Sequence, residues 1–246
     1  CGLGDVYKRQ FNLGSGIGFS REGYPVNSLF SYDFRGLNED GVPTFINEAG
    51  VLTSTDINFQ ETERFDNLVY SGPSEPTDVG SFGNIFQYKG LRLNVFITYS
   101  FGNVVRLDPV FSSIYNDLDA MPREFRNRWM TPGDERYTDV PAIVSSRQVR
   151  NDSKLSYAYN AYNYSTARIA KGDFIRMKEI SLTYDFPKRW IKKLRMSNLA
   201  LKIQATNLFL IYADKKLNGQ DPEFFNTGGV AVPVPKQFTL TLKIGL

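Results

Sequence analysis

Gly172-Asp173-Phe174-Ile175-Arg176-Met177-Lys178-Glu179-Ile180-Ser181-Leu182-Thr183-Tyr184-Asp185-Phe186-Pro187 decides how the rest of the chain is read. From Ile180 the side chains alternate: Ile180, Leu182, Tyr184 and Phe186 share one face, Ser181, Thr183 and Asp185 the other, and a proline ends the run. A period of two with an apolar and a polar side is the pattern of a strand between two different surroundings. The pattern returns at 199–206 and at 238–246, each time with Lys, Gln, Thr or Gly behind the apolar face. All these apolar faces need one common neighbour.

Working upstream, the clearest hairpin joins 81–89 to 91–102 about Gly90. In its second arm Leu91, Leu93, Val95, Ile97, Tyr99 and Phe101 oppose Arg92, Asn94, Phe96, Thr98 and Ser100. A tilted strand needs about 9 to 11 residues to cross a bilayer, so this arm is long enough. Further strands are expected at 11–20, rich in glycine, and at 29–35, where Phe30, Tyr32 and Phe34 alternate with Ser31, Asp33 and Arg35. Residues 36–79 read as a long polar loop region. Residues 103–171 show no convincing alternation, with short helices expected within 114–129, interrupted by Pro122. The strand at 172–186 is followed by a short basic connection at 187–198, a strand at 199–212 and a longer connection at 213–236.

The connections therefore alternate long and short, which is how an outer-membrane barrel sorts its external loops and periplasmic turns. The backbone supplies the physical reason for a barrel. In hydrocarbon an unpaired N–H or C=O costs several kcal/mol, so only a closed ring of strands spans. Five or six strands cannot close one, and the fold class expected is all-β: antiparallel strands of a larger transmembrane β-barrel, incomplete in this chain.

Composition narrows the function classes. Of 246 residues, 14% are aromatic, which suits strands and membrane interfaces. A net charge of +3 is too small to argue for nucleic acid, and no Lys/Arg block looks like a phosphate-tracking groove. No run of about eighteen apolar residues marks a spanning helix, a test to which barrels are invisible. The single cysteine, Cys1, excludes a disulfide framework. Residues 1–10 have neither an apolar h-region nor a cleavage site. They read as translated adapter sequence, so the chain is expected to start mid-protein, with 11–246 forming one barrel region.

The strings Arg128-Trp129-Met130-Thr131-Pro132-Gly133-Asp134-Glu135, 172–184, Ala205-Thr206-Asn207-Leu208-Phe209 and Gly219-Gln220-Asp221-Pro222-Glu223 resemble, in order and spacing, the C-terminal region of SusC/RagA-type TonB-dependent outer-membrane transporters. The resemblance covers essentially 11–246. It implies a barrel of roughly twenty-two strands around a plug in the outer membrane of a Gram-negative cell. It also implies energy from the TonB–ExbB–ExbD complex through an upstream part not seen here, a SusD-like surface lipoprotein as partner, and oligosaccharide or peptide as substrate. The family usually ends on an aromatic residue where this chain has Leu246, so the assembly signal is imperfect. A siderophore or cobalamin receptor is the rival with the same architecture, and a soluble carbohydrate-binding β-sandwich the rival of another class.

Catalytic chemistry has little to work with. The chain has no histidine, which removes His triads, His zinc sites and the usual general base. The pairs Asp117/Asp119 and Asp221/Glu223 read as solvated loops, because a calcium loop needs more ligands than either supplies. Asn38-Glu39-Asp40-Gly41 reads as a turn. No catalytic residue, metal ligand or cofactor is expected. Tyr157, Tyr159, Tyr162 and Tyr164 are the candidates for substrate contact, since flat phenol rings stack on sugars and pack along peptides. Arg92, Asn94, Lys202, Gln204 and Lys243 are expected to face the lumen. Lys188, Arg189, Lys192, Lys193 and Arg195 form a solvated periplasmic turn, with Phe186 and Trp190 in an aromatic girdle.

Overall fold

A computed structural model of the chain describes residues 18–57, 68–110, 123–193, 195–225 and 235–245. In chain order its strands are β1 (Ser28–Tyr32), β2 (Phe34–Leu37), β3 (Pro43–Ile46), β4 (Leu52–Thr53), β5 (Leu68–Pro73), β6 (Asp78–Tyr88), β7 (Leu91–Phe101), β8 (Val104–Arg106), β9 (Ile169–Lys171), β10 (Phe174–Asp185), β11 (Asn198–Ala213) and β12 (Gln237–Gly245). The α-helices are α1 (Ser146–Asn151), α2 (Ser153–Asn163) and α3 (Lys188–Lys193). Two compact units result, one from residues 1–75 and 104–170, the other from 76–103 and 171–246.

The second unit is a single antiparallel sheet of five strands, ordered β12-β11-β10-β7-β6. Its strands fall where the alternation places them. β6 and β7 meet in a two-residue turn whose central residues, Lys89 and Gly90, both have positive φ (44° and 86°). That is the mirror-image turn whose twist matches a hairpin. Gly90 cannot be replaced cheaply, because a Cβ there would lie 2.8 Å from the Asp185 carbonyl oxygen. β10 pairs with β7 on one side and β11 on the other, and in both ladders the register slips between Met177 and Glu179. Against β7 Lys178 is the extra residue of a bulge, which keeps Ile175 and Met177 in phase with Ile180, Leu182 and Tyr184 despite the odd spacing, whereas against β11 the extra residue lies on β11 between Thr206 and Phe209. Short connections (89–90 and 186–197) leave one end of the sheet and long ones (102–173 and 214–236) the other. Among the described residues β6 and β12 are its unpaired margins.

The first unit departs from the sequence reading. The stretch expected as one loop region, 36–79, holds β3, β4 and β5 and the first residues of β6. The strand expected at 29–35 breaks at Asp33, because β1 pairs with β5 while β2 pairs with β3. β1 is buried on both faces; its small polar side chains are satisfied internally, Ser28 Oγ donating to the Pro25 carbonyl (2.6 Å) and Ser31 Oγ accepting from Ser71 (2.7 Å). The featureless stretch 103–171 contains β8, α1, α2 and β9. α1 starts at a capping box between Ser145 and Gln148, and α2 is capped by Asp152, which accepts from the Lys154 N–H. The core gathers Tyr32, Phe45, Ile57, Val110, Phe125, Ala158, Ala161 and Tyr162. Residues 11–17 of the strand expected at 11–20, residues 114–122 of the helical stretch expected within 114–129, the pair Asp117/Asp119 and Leu246 lie outside the described residues.

Within this unit the string 128–135 is a hydrogen-bonded knot. The Asp134 carboxylate accepts from the Met130 and Thr131 N–H groups (both 3.0 Å), and Glu135 accepts from the Gly133 N–H (2.7 Å) and the Trp129 indole (3.2 Å). The Trp129 ring lies over Gly41, whose φ is +72° and whose Cβ would come within 2.5 Å of it. Gly41→Ala combines that overlap with a left-handed backbone, so about 1–3 kcal/mol of local stability is expected to be lost. Hydrogen exchange of 38–42 and 129–142 measures this.

The same knot gives a pH prediction. The Met130 N–H first, then the Thr131 N–H, hold the Asp134 carboxyl below its ordinary value of 3.8. A carboxyl lowered in the folded state contributes stability above its unfolded pKa and loses it as pH falls through the folded one. The turn is therefore expected to be intact at neutral pH and to loosen only below the ordinary carboxylate range. The Trp129 fluorescence, taken as the difference from W129F, reads it out.

Candidate functional site

The two faces of the five-stranded sheet follow directly from its register. On one face Leu240, Ile203, Leu182, Leu93 and Phe86 form an unbroken row across all five strands. The next row is Leu242, Leu201, Tyr184, Leu91 and Tyr88. Phe82 and Ile97 continue the face at one margin, Phe238 and Ile244 at the other. On the opposite face the corresponding row is Thr241, Lys202, Thr183, Arg92 and Gln87, followed by Thr239, Gln204, Ser181, Asn94 and Ile85. Arg92, Asn94, Lys202, Gln204 and Lys243 thus share the polar side. Arg92 meets Asp185 at 3.4 Å, and Asn94 donates to Glu179 at 3.4 Å.

The apolar face is uncovered even at its centre. Leu182, on the middle strand, is 41% exposed, Ile203 53% and Leu240 69%. A soluble sheet would bury such a residue under a second layer. Eleven large apolar side chains of this face are exposed (Phe82, Phe86, Tyr88, Leu91, Leu182, Ile203, Phe209, Phe238, Leu240, Leu242 and Ile244). At about 1.5–3 kcal/mol for each fully buried side chain, half-covering them in an apolar medium is worth on the order of 10 kcal/mol. That is comparable to the whole stability of an ordinary domain, so the face is built for hydrocarbon. Rings crowd the short-turn end: Tyr184 meets Phe186 (4.9 Å between centroids) and Phe186 meets Trp190 (6.1 Å). This is the aromatic girdle expected where strands leave a membrane. Among the described residues no helix is long and apolar enough to cross.

On the polar face, near the long-loop end, Arg176 makes the tightest charged cluster of the unit. Its guanidinium reaches Asp221 at 2.5 Å and Glu223 at 3.1 Å and lies over the Phe174 ring. Arg176 and Asp221 side chains are both less than 10% exposed, so Asp221 is not the solvated loop residue the sequence suggests. Asp221 also caps the turn at Pro222–Phe224 by accepting from the Glu223 N–H, so one carboxylate shapes the β11–β12 connection and pins it to β10.

The four tyrosines do not form one surface. Tyr159 and Tyr162 are 1% and 2% exposed: Tyr159 packs with Val144 and donates to the Ala142 carbonyl (2.8 Å), and Tyr162 sits in the main core, burial raising its pKa. Tyr164 carries the Arg106 guanidinium over its ring at 5.6 Å, and Tyr157 is partly exposed. The helix explains the separation. Leu155, Ala158, Tyr159 and Tyr162 stand at i, i+3, i+4 and i+7, the spacing that turns one face of α2 into the core. Beside it Arg168 is buried, pairing with Glu124 and donating to the Asp108 carbonyl (2.6 Å). Arg106 donates to the Phe30 carbonyl (2.7 Å), and burial lowers its pKa to about 10. Among the described residues no cluster of His, Cys, Asp and Glu forms a metal site.

The fold defines a class, a segment of antiparallel β-barrel wall with one apolar and one polar face, and the comparisons with known proteins agree with it. No family model matches the chain. It is 28% identical over 167 residues to TonB-dependent receptor P39 of Formosa agariphila, covering 63% of this chain and 14% of that protein. It is 24% identical over 211 residues to TonB-dependent receptor P3 of the same organism, covering 82% of this chain and 19% of that protein. Among solved structures it superposes on the RagAB peptide importer in its closed-closed state with a TM-score of 0.65 and 22% identity, and in its open-open state with 0.62 and 20%. Each superposition covers 91% of this chain and 23% of the other. The chain is similar in sequence to these TonB-dependent receptors and in fold to the RagAB peptide importer, and it spans less than a fifth of the curated relatives it matches.

Proposed function

We propose that the chain is part of the wall of an outer-membrane importer that takes up peptides or oligosaccharides together with a SusD-like surface lipoprotein, driven by TonB. The observation that carries this reading is the uncovered apolar row through Leu182, backed by a polar row through Thr183 and Arg92. That is a wall with lipid on one side and a wet lumen on the other. The likeness to a peptide importer favours peptides among the substrates. The work is transport without covalent chemistry: lumen side chains such as Lys202 and Gln204 meet a plug, and the loops help hold substrate and lid. Of the four tyrosines, Tyr157 and Tyr164 are the partly exposed ones, and Tyr164 already carries the Arg106 guanidinium, so Tyr157 is the one proposed for substrate contact.

The test is genetic and direct. Cells lacking the full-length transporter are compared with the parent for uptake of fluorescent peptides, fluorescent oligosaccharides and an iron–siderophore chelate, and the tagged transporter is purified in detergent to identify a co-purifying lipoprotein. Selective loss of peptide or oligosaccharide uptake supports the reading, whereas loss of chelate uptake alone supports the siderophore-receptor alternative and overturns it.

A further inference from the structure

We propose that the short-turn end of the sheet is a docking surface for the headgroups of anionic phospholipid. The inference rests on the reading above that the apolar face lies in lipid, and it names a ligand at that face's edge. α3 follows directly on β10 and carries Lys188, Arg189, Lys192 and Lys193, with Arg195 beyond it; all five are exposed, as is Trp190 at 56%. At about 100° per residue the four helical cations fall within an arc of about 140°. Trp190 stands beside that arc, and Ile191, on the remaining side, is buried. No acidic residue occurs between Phe186 and Ser197, and among the described residues none of the five cations has a carboxylate within ion-pair distance. Lys89, from the neighbouring β-turn, adds a sixth charge and lies over the Tyr88 ring at 5.1 Å.

The location gives these charges a partner. Trp190 meets Phe186 at a tilt, Phe186 meets Tyr184 edge-on, and Tyr184 belongs to the exposed apolar face, so the ring column runs continuously from that face to the helix. A purely solvated turn needs no such column. Rings settle at headgroup level, and Lys or Arg beside them reach phosphodiesters while their stems stay on apolar surface. A single cation near an anionic bilayer surface contributes little, and the cluster is what makes the binding selective.

The experiment reconstitutes the full-length transporter in nanodiscs of phosphatidylethanolamine with a minority of phosphatidylglycerol and counts the lipids retained on release by native mass spectrometry. The parent is expected to hold phosphatidylglycerol above its bulk share. K188Q/R189Q/K192Q/K193Q is expected to lose at least about half of that excess, as is K192E/K193E, which makes the same change in net charge with two substitutions, with heat-modifiable barrel migration unchanged in both. Equal retention by parent and variants would mean a solvated basic turn only and overturns the proposal. Should the parent itself fail to enter nanodiscs, the lipid assignment of the sheet falls first, and the proposal with it.

Discussion

Replacing Asp221 with Ala is expected to release the β11–β12 connection from the sheet. The change strands Arg176 at a buried position, and breaking one partner of a buried pair costs about 3–5 kcal/mol. The lower end applies here, because Glu223 stays at 3.1 Å from the same guanidinium and is itself 44% exposed, hence partly screened. Asp221→Asn should fare little better, since it keeps a cap for the Glu223 N–H but loses the charge. Removing both partners as R176M/D221A should recover most of the loss, because the desolvated cation is then gone as well. Limited proteolysis and hydrogen exchange of 214–225 in the full-length protein report the outcome. If D221A is as protected as the parent, the cluster does not hold the connection.

Leu182→Arg should be the most damaging exchange on the sheet itself. A cationic side chain on the lipid face of a barrel costs about 2–4 kcal/mol near the bilayer midplane and little at the interfaces. Leu182 lies in the second half of β10, between Leu93 and Ile203, two residues from the ring column at Tyr184 and six from Arg176, so the lower part of that range applies. Thr239→Arg is the matched control, one ladder row away on the polar face opposite Gln204, and it should be close to neutral. Urea unfolding in lipid, followed by heat-modifiable migration, distinguishes the two. Equal costs would mean that the faces do not differ in their surroundings.

What could be read from the chain alone follows from which signals are local. The strands of the sheet announce themselves because each spanning strand must repeat its two-solvent alternation for nine residues or more, as β7 does from Leu91 to Phe101. Turn length then sorts the ends. The bulge at Lys178 is legible only once β7 is laid beside β10, although the phase break between Met177 and Ile180 hints at it. The first unit was illegible for the opposite reason: β3 and β4 are four and two residues long, too short for a period to show, and β1 is buried on both faces, so its serines mimic a solvent side. α2 is hard to read from the sequence because Tyr157, Tyr159, Tyr162 and Tyr164 present one aromatic run. The sharper signal was Leu155, Ala158, Tyr159 and Tyr162 behind the cap at Asp152. The Arg176–Asp221 pair joins residues 45 positions apart, and no local pattern announces such a contact.

The central claim is that Leu201, Ile203 and Ala205 look into lipid while Lys202 and Gln204 look into a wet lumen. Nitroxide labels placed singly from 200 to 206 on β11, in a cysteine-free full-length transporter in bilayers, test it through their accessibility to oxygen and to a water-soluble nickel chelate. Oxygen accessibility is expected to peak at 201, 203 and 205 and to fall at 202 and 204, with a period of two. A flat profile, or odd-numbered positions shielded from oxygen as in a packed protein core, would contradict it.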